Sequence, residues 1–112
     1  MELITAVIKP HKVDDVKEAL LAAGVQGMTL TEVRGFGRQR GKTESFRGAE
    51  YKIDFVPKVK LEVIVDTELA EQVISVIAES ANTGKIGDGK VWRIPVGELL
   101  RVRTGETGTA AL

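Results

Sequence analysis

The sequence predicts an α+β domain of βαββαβ order: a four-stranded antiparallel sheet, two helices on one face and a long loop between the two halves. Three observations predict it. Two segments of helical period each lie between runs of strand character, the two β-α-β blocks repeat the same order, and a 19-residue stretch without period, Gly37 to Phe55, separates them. At 112 residues the chain has the size of a single domain, residues 1–112, with 37–55 as its expected mobile loop.

Residues 3–9 (Leu-Ile-Thr-Ala-Val-Ile-Lys) are rich in β-branched side chains and run into Pro10, as a strand does. From Lys12 to Ala23, Val13, Val16, Leu20 and Ala23 recur at helical spacing. Asp14 and Asp15 suit the positive end of that helix dipole, and Gly24 suits its stop. Residues 28–35 form a second strand that Gly35 ends. Residues 59–65 alternate cleanly, with Val59, Leu61, Val63 and Val65 on one side and Lys60 and Glu62 on the other. Asp66 or Thr67 then caps a helix whose stripe is Leu69, Val73, Val76, Ile77 and Ser80. After a glycine-rich turn at 82–90, residues 91–96 make the last strand, which Pro95 confines to a sheet edge or to the strand's own end. This order is the ferredoxin-like arrangement. Two helices cover one face of such a sheet, yet Leu3 and Val7 as well as Ile4 and Ile8 are apolar. A homo-oligomer packed sheet against sheet is therefore expected to cover part of the second face.

Composition excludes several kinds of chemistry. With no cysteine and only His11, disulfides, thiolate catalysis and Cys- or His-based metal clusters are ruled out. No apolar run approaches the ~20 residues of a membrane span, and the first residues lack a basic leader and a cleavage site, so the expected location is cytoplasmic. Aromatic residues at 4% leave few platforms for stacking single-stranded nucleic acid.

The formal net charge is zero, but it is unevenly spread. Residues 34–60 hold eight bases against three acids, and residues 85–103 hold five against two, which leaves 3 bases and 11 acids elsewhere. Such local concentration suits a small anionic ligand better than a polyanion, whose affinity grows with every phosphate neutralised. The 37–55 stretch is too polar to fold on its own core, and Phe46 and Tyr51 within it are candidate contact or modification residues.

The second basic segment contains Thr83-Gly-Lys-Ile-Gly-Asp-Gly-Lys90. Glycines at 84, 87 and 89 allow positive φ and close approach of N–H groups to an anion, with Lys85 and Lys90 beside them. Gly84 to Lys90 fits G-x-x-x-x-G-K, but Val91 stands where a P-loop needs Ser or Thr, and the helix precedes rather than follows, so a P-loop hydrolase is rejected. Arg101 and Arg103, on a segment expected to be extended, would place two guanidinium forks on one side, suited to a polyphosphate such as a nucleoside triphosphate.

With these residues in place, the chain resembles the PII nitrogen-regulatory signal-transduction proteins over essentially its whole length. Phe46-Arg-Gly-Ala-Glu-Tyr51 is similar to that family's large-loop signature, and Thr83 to Trp92 to its second, followed by Arg101-Val-Arg-Thr-Gly105. The resemblance implies a homotrimer with ATP or ADP in clefts between neighbours. Gly87, Asp88, Gly89 and Lys90 would hold the phosphates, with Arg101 and Arg103 reaching them from the adjacent subunit. Thr29, Gly37, Arg38 and Gln39 would complete the nucleotide site. The effector 2-oxoglutarate would meet Gln39, Gly41, Lys58 and Gly87, with Gln39 also a ligand of Mg²⁺ that is otherwise held by the triphosphate. Arg47 resembles the residue that relatives insert into an ammonium transporter, and Tyr51 matches the position that nucleotidyltransferases modify. Phe46 stands where many relatives have Tyr, Ala49 replaces a phosphorylatable Ser, and Arg93 replaces an apolar strand residue.

The resulting expectation is a non-enzymatic sensor of ATP/ADP and 2-oxoglutarate that regulates nitrogen-assimilation enzymes and an ammonium transporter through residues 37–55. It would meet the membrane only through that transporter, and it would not bind nucleic acid. Two other readings share the fold. A small phosphoryl-transfer enzyme would use Asp88 as general base, whereas the same carboxylate could simply bind turn amides. An RNA-binding module needs sheet aromatics, and the central strands offer Leu, Val and Thr.

Overall fold

The computed structural model describes residues 1–37, 43–46, 49–52 and 55–112, the segments 43–46 and 49–52 by their backbone alone. Six strands and two helices follow in the order β1 (Glu2–Ile8), α1 (Val13–Ala22), β2 (Thr29–Gly35), β3 (Thr43–Phe46), β4 (Ala49–Lys52), β5 (Val56–Val65), α2 (Ala70–Ala81) and β6 (Gly89–Pro95). The main sheet has the order β2-β5-β1-β6, antiparallel throughout, which is the expected α+β, ferredoxin-like βαββαβ topology.

Local chemistry explains where the elements stop. Pro10 cannot continue the β1 ladder and opens a single 3-10 turn, Pro10–Lys12, that leads into α1. At the far end of α1, Gly24 takes φ +91°, its N–H bonds to the Leu21 carbonyl at 3.1 Å, and the Val25 N–H reaches the Leu20 carbonyl at 3.0 Å. These two bonds close a Schellman motif, and the Val25 side chain is buried in the core to which Leu20 belongs. The Asp66 carboxylate caps the turn Thr67–Leu69 ahead of α2, accepting from the Glu68 N–H at 3.2 Å.

Pairing register sorts the sheet's side chains into two faces. Ile4 lies opposite Val63, Ala6 opposite Leu61 and Ile8 opposite Val59. With Val16 and Leu20 of α1 and Ala70, Val73, Ile77 and Ala81 of α2, all of these except the half-buried Val59 form the core. Burying each of the large aliphatic side chains contributes about 1.5–3 kcal/mol. The α2 stripe differs from the sequence expectation: Leu69 lies before the helix and is exposed, whereas Ala70 and Ala81 face inward, and the Ser80 hydroxyl donates back to the Val76 carbonyl at 2.6 Å. Alanines satisfy the helical period without registering as large apolar positions.

The opposite face carries Leu3, Thr5, Val7, Lys58, Lys60, Glu62 and Ile64 on the two central strands, flanked by Trp92 and Ile94 on β6. Trp92 and Ile94 are exposed, at 44% and 50%. β6 pairs only with β1, so Pro95 sits both on an edge and at the strand's end. Arg93 shares the helix-side face but lies on this edge strand, opposite Ile4 and exposed, so its guanidinium stays in water.

Three further expectations need correction. β5 begins at Val56 and β6 at Gly89, earlier than the periodic runs suggest, because main-chain pairing continues past the last apolar alternation. The stretch expected to lack regular structure holds the antiparallel pair β3–β4, with Glu44 opposite Tyr51 and Phe46 opposite Ala49. Four-residue strands are too short to show a period in an 11–18-residue window. The third correction concerns Arg101 and Arg103 and belongs to the site.

Candidate ligand-binding site

The glycine-rich turn closes one end of the sheet. Gly84, Gly87 and Gly89 adopt φ of +77°, +95° and +102°, conformations that L side chains resist. The turn is organised from within by Asp88. One carboxylate oxygen accepts the N–H groups of Thr83 at 2.7 Å and Gly84 at 2.9 Å; the other accepts the Thr83 hydroxyl and lies 3.0 Å from the Lys9 ammonium. The Thr83 hydroxyl, then its N–H, hold the Asp88 carboxyl well below the usual carboxylate range, and Lys9 and the Gly84 amide add to the effect. A carboxylate so engaged does not take up a proton near neutral pH, and its place is that of a turn organiser.

Lys58 approaches from β5. It is buried on the open face of the sheet and donates to the Gly87 carbonyl at 2.6 Å. Burial, and after it the neighbouring Lys9 charge, push its pKa below the ordinary lysine value. Lys90 pairs opposite Val7 on the same face and is exposed. Together these elements border a cleft of about 640 Å³ whose lining includes Gly35, Gly37, Lys58, Lys85, Gly87, Asp88, Gly89 and Lys90. Its volume is in the range of small-molecule sites. Phe36, one of its lining residues, packs at a tilt against Phe55, both exposed and with ring centroids 6.1 Å apart.

The remaining sequence-predicted residues lie elsewhere. Thr29 starts β2 opposite Glu62 and lines a second cleft of about 800 Å³ with Met28, Leu99 and Leu112. Gly35, at the other end of β2, borders the first cleft, six residue steps and so roughly 20 Å away. Arg101 does not line this cleft itself but is tied to it, since its Nη2 donates to the main-chain oxygen of Leu112 at 2.6 Å. Residues 102–104 form a turn rather than an extended run, closed by a bond from the Gly105 N–H to the Arg101 carbonyl at 2.8 Å. The alternation that would align Arg101 with Arg103 is therefore absent: Arg101 pairs with Glu106 and Arg103 is exposed. Short-range bonding overrides the strand pattern because Gly105, at φ +73°, permits the reversal. Arg38, Gln39, Gly41 and Arg47 lie outside the described residues, as does the side chain of Tyr51.

Sequence reasoning assigned no role to Lys9, Thr83 or Glu106. Thr83 and Asp88 bracket the turn at a spacing from which short polar side chains bond local amides, and that signal was available. Lys9 was not legible, being 74 residues from Thr83. Among the described residues, no group of three or more His, Cys, Asp or Glu is placed to hold a metal, and no helix is long and apolar enough to cross a membrane.

Comparison with known proteins bears on this arrangement. A family model described as nitrogen regulatory protein P-II matches residues 1–106. The chain belongs to the P-II family. It is 58% identical to the nitrogen regulatory protein P-II of Haemophilus influenzae over 112 residues, covering all of both chains. The P-II protein of Azospirillum brasilense is 54% identical and nitrogen regulatory protein P-II 1 of Escherichia coli 53%, each again over the full length of both. Membership of P-II fits a regulatory chain.

Proposed function

We propose that this P-II chain is a cytoplasmic, non-enzymatic sensor that assembles as a homotrimer. It binds ATP or ADP in clefts between neighbouring copies, and responds to 2-oxoglutarate in the presence of Mg²⁺. One observation carries the reading: residues suited to an anion fall into two groups that border different clefts, one reached from the edge strand β6 and its turn, the other from the opposite edge strand β2. Gly87, Gly89, Lys90 and Lys58 border one cleft, while Thr29 lines the other and Arg101 is tied to its lining residue Leu112. Neither group makes a complete polyphosphate site within a single chain. A rotational assembly that brings one edge of each sheet against the other edge of its neighbour would join them and cover the exposed Trp92 and Ile94 of β6.

Fit to the ligands rests on chemistry present in the chain. Positive-φ glycines with Lys90 beside them suit a phosphate group, and the Lys58 ammonium, at the cleft wall, suits a carboxylate. Gln39 is the proposed Mg²⁺ ligand. The state of the clefts is proposed to select the conformation of residues 37–55, and so the partner engaged: an ammonium transporter through Arg47, a nucleotidyltransferase through Tyr51, or nitrogen-assimilation enzymes. A ligand shifts such an equilibrium only by its differential affinity for the two loop states, which requires contact at the loop base.

The enzyme reading is disfavoured by the engaged Asp88 carboxylate, and the RNA reading by the two central strands, which present no aromatic side chain on the open face. Isothermal titration of ATP with Mg²⁺, with and without 2-oxoglutarate, tests the proposal. Each ligand should tighten the other; unchanged ATP affinity on adding the acid would refute the sensor mechanism.

A further inference from the structure

Arg101 is already committed within its own chain. Its Nη1 lies 3.0 Å from Glu106 Oε1 and its Nη2 2.6 Å from the Leu112 main-chain oxygen. The bracket that holds these partners is rigid: the Arg101 N–H donates to the Glu106 carbonyl at 2.8 Å, the Gly105 N–H to the Arg101 carbonyl at 2.8 Å, and Leu100 and Thr107 bridge the two sides. Glu106 is thus placed beside the guanidinium by the backbone. Leu112, the second partner, lines the same cleft as Thr29.

We infer that Glu106 sets the anion affinity of this site by holding Arg101 in an internal latch that an incoming phosphate must open. The inference rests on the nucleotide reading above and names a residue that reading leaves out. A guanidinium offers its donors in one plane, and a phosphate that takes the fork bidentately competes with the acceptors already there. A carboxylate left beside the bound phosphate repels it, and a carboxylate displaced from Arg101 loses its partner. Either way, binding carries a cost that a neutral residue at 106 removes. The latch also ties the site to residues 108–112, because freeing the fork releases the Leu112 oxygen.

ATP titrations in the presence of Mg²⁺ on the full chain, Glu106→Gln, Arg101→Gln and the double variant test this as a cycle. Glu106→Gln keeps an oxygen acceptor and removes the charge; because Glu106 is exposed, its melting temperature should fall by only a few degrees at most. It should bind ATP roughly two- to fivefold more tightly, the scale of an exposed ion pair. In the Arg101→Gln background, where no fork remains to be held, the same change should give no tightening. Unchanged or weaker ATP binding by Glu106→Gln overturns the inference, as does tightening that persists without Arg101, which would mark general repulsion instead. If the parent chain binds no ATP at all, the nucleotide reading has failed and the latch falls with it.

Discussion

The α-carbon of Gly89 is pressed against the Val7 carbonyl: a β-carbon built there would lie 1.8 Å from the oxygen and 2.9 Å from its carbon. Both partners are main-chain atoms of the paired β1 and β6, so no side-chain rotation relieves the overlap. The turn therefore enters the sheet at a point where only glycine fits, which fixes the height at which Gly87 and Lys90 meet the cleft.

Gly89→Ala should accordingly destabilise the chain by about 3 kcal/mol or more, since positive φ and a backbone clash combine. Gly84→Ala, where φ is +77° but nothing lies within 4 Å, should cost only about 1 kcal/mol. Urea unfolding of the two variants checks the contrast.

Asp88→Asn should loosen the turn, because a neutral amide cannot match the carboxylate's bonds to Thr83, Gly84 and Lys9. The pH dependence follows from the depressed pKa. The folded state holds the Asp88 proton less well than the unfolded chain, so the stabilisation is complete above the ordinary aspartate value of about 4 and is lost as pH falls below it. The difference in melting temperature between parent and variant should thus be largest at neutral pH and narrow in acid.

Lys58→Met should abolish the effect of 2-oxoglutarate on ATP binding while leaving ATP binding itself largely intact. Burial holds the Lys58 pKa below its usual value, so the unfolded chain binds this proton better and the parent gains stability as pH rises toward about 10. The variant should lack that alkaline gain, which thermal melts from neutral to alkaline pH would reveal.

Lys90→Ala and Arg101→Ala should each weaken ATP binding. If the clefts form between copies, co-refolding the two variants should restore a fraction of intact sites, each taking Lys90 from one protomer and Arg101 from another. Titration of the mixture against the separate variants measures it; no recovery would place both residues in one chain's site.

Much of the fold was legible because it rests on short-range rules. The period of Val16 and Leu20, the stop at Gly24, the alternation from Val59 to Val65 and the break at Pro10 each follow from residues within a few positions. The hairpin β3–β4 escaped because four-residue strands carry too little pattern, and the α2 face was misjudged where alanines do the packing. For the site, the glycine turn and its lysines were readable as an anion cradle, whereas the extended reading of Arg101 and Arg103 failed because Gly105 lets the chain fold back onto Glu106.

Sequence by itself determined the element order, the two basic segments and the glycines that admit positive φ, since these depend on side-chain type and spacing alone. Only the tertiary structure decided that Lys9 and Lys58 converge on the glycine turn, that Asp88 spends its oxygens organising it, and that Thr29 and Lys90 line different clefts. Those relationships join residues tens of positions apart through sheet register, and register is set by the burial of a whole face rather than by any local run of residues.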